Sequence, residues 1–150
     1  MSNDLGVRLR EAKDSLASWY DQLNAKWAEA EAFLRTINLS EPVWTPFHGE
    51  TQSSEPGGPF GLTVERDFSH CLTFQKAGRE WHICYAVGEV GCPEDFIPRP
   101  ILECSLETRK MALQGLPKLL ADVVAQAETE ASALESALGA ASEALASLKR

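Results

Sequence analysis

Cys71, His82 and Cys84 are the residues of this 150-residue chain whose types and spacing suit metal or thiol chemistry. His82 and Cys84 are two apart, so on a strand both side chains leave the same face. A hairpin through this region would bring Cys71 directly across from Cys84. Cys92 or Cys104 would then complete a tetrahedral zinc site. Against this, the chain has no Cys-x-x-Cys knuckle, and free cysteine behaves as a small buried hydrophobe. A cysteine nucleophile with His82 as base is within the same reach. Nothing marks a third orienting group or an oxyanion hole, and no serine-hydrolase, zinc-protease or dinucleotide fingerprint occurs. The glycines near residue 57 lack the lysine and following helix of a phosphate loop. A non-enzyme without cofactor is expected, with a metal- or redox-responsive protein using Cys71, His82 and Cys84 as the alternative. His70, opposite Tyr85, reads as a boundary histidine with a hydrogen-bond partner. His48 has no evident partner.

Binding is the other chemistry the residues offer. Trp44, Phe47, Phe60 and Phe96 sit on proline-rich segments beside Glu41, Glu50, Glu55, Glu94 and Asp95. Exposed aromatics framed by acids suit a protein partner with a basic rim. The competing use of the same aromatics is as a lid over the sheet face that carries Cys71 and Cys84.

The elements that position these residues follow from periodicity. Phe68, His70, Leu72 and Phe74 alternate on one arm, and Trp81, Ile83, Tyr85 and Val87 on the other, with Gly78 at the turn. A turn at Ala77-Gly78 pairs Phe74 with Trp81, His70 with Tyr85 and Cys71 with Cys84. One face is bulky and aromatic, the other small and half-polar. Residues 4–38 carry a heptad-like stripe from Leu5 through Trp27 to Ile37, which predicts one long helix ended by Asn38 and Pro42. A short edge strand is expected around Val43–Trp44, then an acidic loop, and a third short strand at 101–104. Ser105 caps a short helix, Gly115–Pro117 interrupts it, and a second stripe runs from Leu116 to Leu148. The stripes match in length and are expected to run antiparallel, Leu5 toward Leu148. The fold class is therefore α+β in a single domain, 1–150. It comprises a helix at 4–38, a small antiparallel sheet of three or four strands around the central hairpin at 60–104, and a helical region at 105–148. Helices reaching past so small a sheet predict a coiled-coil-like homodimer, paired within or between chains.

With 22 acidic and 14 basic residues the net charge is −8, against nucleic-acid and anionic-membrane partners. Residues 1–40 and 106–150 are each near −1, so −6 lies in the middle. No apolar run is long enough to span a bilayer and the polar start is not a signal peptide, so a cytoplasmic location with reduced thiols is expected. The expected function is a non-enzymatic, oligomeric protein-protein interaction module: an adaptor, inhibitor or chaperone-like protein.

Overall fold

The structure is a computed structural model that describes residues 2–54, 61 and 63–150. A long helix α1 (Ser2–Arg35) leads into strands β1 (Val43–Ser53), β2 (Glu65–Ala77) and β3 (Glu80–Glu89), and then a two-residue strand β4 (Arg99–Pro100). Helices α2 (Leu106–Ala112) and α3 (Leu116–Leu148) complete the chain. The strands form one antiparallel meander in the order β1-β2-β3-β4. This is the expected α+β class: long first helix, antiparallel sheet around a central hairpin, long last helix.

Local chemistry sets the boundaries. α1 ends where Asn38 takes a left-handed φ of 60°, the conformation Asn tolerates best after Gly. The Ser105 hydroxyl caps α2 by accepting from the Thr108 N–H at 3.2 Å, and Pro117 sits in the first turn of α3. Gly78, at φ 74°, opens a two-residue Gly78-Arg79 turn.

That turn moves the hairpin register by two residues from the expected one. Phe74 faces Ile83, Leu72 faces Tyr85, Cys71 faces Ala86 and Thr73 faces Cys84. A shift of two preserves which side chains share a face, so the aromatic and small-residue faces survive. The expected opposition of Cys71 and Cys84 does not.

β1 is far longer than the short edge strand expected and takes in residues 48–53, read from sequence as loop. Pro46 is tolerated because β1 lies at the sheet edge beside a bulge between Pro46 and His48. At 101–104 a 3₁₀ turn replaces the expected strand; its Ile101 is fully buried.

The core is a single cluster between the aromatic face and the helices. Trp27 and Leu34 from α1, and Leu119 and Val123 from α3, close over Leu72, Phe74 and Ile83. α3 is fixed to β1 by three contacts that run in reverse order. Asp122 accepts from the Thr45 hydroxyl at 2.7 Å, Lys118 donates to the Pro46 carbonyl at 2.6 Å, and Gly115 abuts Phe47. Glu130, further along α3, accepts from the Ser40 hydroxyl at 2.6 Å and from its N–H at 2.8 Å. The Ser40 hydroxyl, with Gln126 and the nearby backbone N–H groups, holds the Glu130 carboxyl down to about 2.

α1 is fixed to the outer edge of β3, also in reverse order. Glu31 accepts from the Ile83 N–H at 2.9 Å, and the Arg35 guanidinium donates to the Trp81 carbonyl at 2.7 Å. These two side chains close the part of the β3 edge that short β4 does not pair. Both helices thus run opposite to β1 and β3, which are parallel to each other, so α1 and α3 run in the same sense. The antiparallel helix pair expected from the matched stripes is not formed. Between α1 and α3 lie three full-length strands, and the resulting four chain reversals restore the starting direction.

Candidate protein-binding groove

The end of the sheet away from the α1 C-terminus carries two different surfaces, one on each face. On the helix-facing side, the β1 bulge puts Phe47 against the core and turns His48 beside His70, with ring centres 5.3 Å apart. His70 Nδ1 lies 2.6 Å from the Tyr85 hydroxyl and Nε2 lies 2.7 Å from Glu50 Oε1. Burial first, then the neighbouring Cys104 and Glu50, pushes the Tyr85 hydroxyl up to about 12, so it keeps its proton. The Nε2–H donates to the Glu50 carboxylate, which can only accept, and Nδ1 and the Tyr85 hydroxyl share the other hydrogen bond. This chain ties β1, β2 and β3 together. The shifted register makes the His70–Tyr85 pair diagonal rather than directly opposed.

The small-residue face is different. Trp44 and Pro46 from β1, Ser69 and Cys71 from β2, and Val90, Pro93 and Phe96 from the segment after β3 line a predominantly apolar groove of about 500 Å³. Phe96 and Trp44 meet edge to face, with centroids 6.5 Å apart and planes at 83°. Gly88 makes this possible: a Cβ there would stand 2.8 Å from the Phe96 ring. Trp44 remains 42% exposed although its ring is fixed on one side. Glu94 and Asp95 lie exposed next to Phe96.

Of the four aromatics singled out in the sequence, the structure therefore brings Trp44 and Phe96 together at this groove. Phe47 is on the other face and joins the core, and Phe60 lies outside the described residues. Val90 and Pro93, which complete the groove, were not singled out as residues within their segment; an apolar residue and a proline flanking Gly91 and Cys92 carried no distinguishing signal.

The three thiol and imidazole candidates are not gathered. Cys71, 5% exposed, forms part of the groove floor. The His82 ring turns to α1, with Nδ1 3.1 Å from Glu31 and 3.0 Å from Arg35. Cys84 is fully buried and its thiol lies 3.7 Å from the His82 carbonyl. Burial, with some help from the Glu31 charge, pushes the Cys84 thiol up to about 11. Two pH units above an ordinary protein thiol lowers the reactive thiolate fraction roughly hundredfold at neutral pH. Timed iodoacetamide labelling of the folded protein, followed by peptide mass mapping, is therefore expected to leave Cys84 unmodified long after Cys92 is consumed. Equal labelling rates would show that the site is open to solvent. Among the described residues, Glu89, Cys92 and Asp95 do place one oxygen or sulfur atom each within 4.8 Å of one another, beside the groove. They form an acidic turn in which Glu89 and Cys92 are half-buried and Asp95 is exposed.

Among the described residues, no helix is long and apolar enough to cross a membrane. Comparison with known proteins returns no matching family, no matching curated protein and no matching solved structure.

Proposed function

We propose that the protein is a non-enzymatic, cytoplasmic protein-protein interaction module, acting as a homodimer, whose docking surface is the Trp44–Phe96 groove. The observation that carries this is an exposed tryptophan fixed edge-on to a phenylalanine, outside the core, in an apolar channel. Aromatic rings held at the centre of a patch are the usual anchors of binding energy, because little side-chain freedom is left to lose on association. The channel accepts an apolar side chain of the partner. Glu94 and Asp95 at its rim favour a partner with lysine or arginine flanking that anchor.

The metal- or redox-responsive alternative draws less support. Its ligands are dispersed between the groove floor, the α1 contact and the buried interior of the sheet.

The test is a comparison of partners recovered on the wild-type protein, Trp44→Ala, Phe96→Ala and, as an exposed control, Val124→Thr. Loss of the same proteins from both aromatic variants, with retention by the control, is the expected result. Aromatic truncation costs about 2 kcal/mol or more at an anchor position, a loss of roughly 30-fold in affinity. Identical partner sets on all four proteins would remove the groove from consideration.

A further inference from the structure

α1 and α3 both outrun the sheet, and they do so at opposite ends because they run in the same sense. Residues 4–19 of α1 and 131–148 of α3 are exposed almost throughout, save Gly6. Each arm still carries an apolar stripe: Leu5, Leu9, Leu16 and Trp19 are 52–64% exposed on one, and Leu134, Leu138, Leu145 and Leu148 are 59–81% exposed on the other. A helix stripe of this kind is stable in water when a second helix covers it. Opposite exits prevent the two arms of one chain from covering each other.

We infer that a second copy of this chain covers both arms, each α1 arm lying antiparallel against the α3 arm of its mate in a two-fold dimer. Three observations name this occupant. The first is geometry: a two-fold axis perpendicular to the helices inverts the mate, so both α1–α3 contacts form at once and the assembly closes. The second is spacing. From Leu5 to Leu23 and from Ala127 to Leu145 the apolar steps are four, three, four, three, four residues on both arms, which reads the same in either direction. Antiparallel alignment therefore meets layer for layer, with Leu16 against Leu134, Ala12 against Leu138 and Trp19 against Ala131. Large residues face small or equal ones, as close packing requires. The third is charge: in that register Lys13 and Glu135 flank the seam side by side, an opposite-sign pair. Each seam is about 30 Å long at 1.5 Å per residue. Two such seams, continuous with the cores at Leu23 and Ala127, fall in the size class of stable interfaces.

This deepens the homodimer proposed above by assigning its surfaces and register, and it is independent of the groove. Sedimentation equilibrium of the full chain is expected to give a dimer. Leu16→Asp, which places a charge in the seam but lies outside the core, is expected to weaken self-association roughly hundredfold or more. In a Cys92→Ser, Cys104→Ser background, a chain carrying Leu16→Cys and Leu134→Cys is expected to oxidise to a covalent dimer joined between positions 16 and 134. A dimer cross-linked only between two copies of position 16 would overturn the assigned register while leaving a homodimer in place. A monomer at micromolar concentration would overturn both.

Discussion

Replacing Trp27 with alanine is expected to cost about 3–5 kcal/mol, the range for removing a large buried aromatic side chain. The indole is fully buried among the core residues, and its Nε1–H donates to the Arg109 carbonyl at 3.2 Å. It therefore joins α1 to α2 and to the sheet at one point. The truncation leaves a cavity in a core shared by all the helices and strands the Arg109 carbonyl. Against a total of about 5–15 kcal/mol for a domain of ordinary stability, this is about a fifth or more. The apparent midpoint in a thermal melt should fall by roughly 10 °C or more. Trp27→Phe keeps most of the apolar volume and loses the bond, so its cost should be about half. Urea denaturation of the three proteins measures both differences. A phenylalanine variant as damaged as the alanine one would mean that the hydrogen bond, rather than the ring volume, dominates.

Glu31 should show the second large effect, through a backbone group on another element. Glu31 is 7% exposed, and its carboxylate accepts from the Ile83 N–H while contacting His82 and Arg35. Glu31→Ala leaves a buried N–H without a partner and takes one carboxylate contact from Arg35, which keeps its bond to the Trp81 carbonyl, for an expected loss of about 2–3 kcal/mol. It also uncovers the outer edge of β3, an unpaired ladder able to accept a strand from another molecule. Lower urea stability together with faster light scattering on warming is the expected pair of results. Glu31→Gln keeps an oxygen for the Ile83 N–H and should recover about half of the loss. Wild-type stability in the alanine variant would show that water replaces the carboxylate at no cost.

Glu31 also illustrates what could be read in the sequence. It follows Trp27 by four residues and precedes Leu34 by three, so it sits on the inner side of the α1 stripe. A carboxylate there signals a buried partner, but not that the partner is a strand edge. Side-chain alternation likewise defined both faces of the hairpin correctly, because faces depend only on parity. Register depended on whether Gly78 takes the first or second position of the turn, which alternation does not distinguish. The sense of α3 was not legible from its stripe. The antiparallel expectation rested on stripes of matched length, which carry no direction. The sense of α3 is set instead by the number of full-length strands, and β1 runs on past Pro46 because an edge strand with a bulge accommodates it. Trp44 and Phe96 were legible as exposed aromatics. Their meeting was not, because it depends on Gly88 allowing the ring to lie on the sheet.

The crossed attachment of the helices has a consequence for how the molecule comes apart. α1 precedes β1 in the chain but docks on β3, and α3 follows β3 but docks on β1. Neither helix finds its seat until the meander that separates them in sequence is complete. Neighbouring strands close short loops and pair early, whereas both helix dockings wait on contacts far apart along the chain. Removing either end of the chain therefore loosens the strand nearer the other end. Unfolding is expected as one cooperative step, with helix signal and tryptophan fluorescence lost together, rather than as a helix peeling from a sheet that persists.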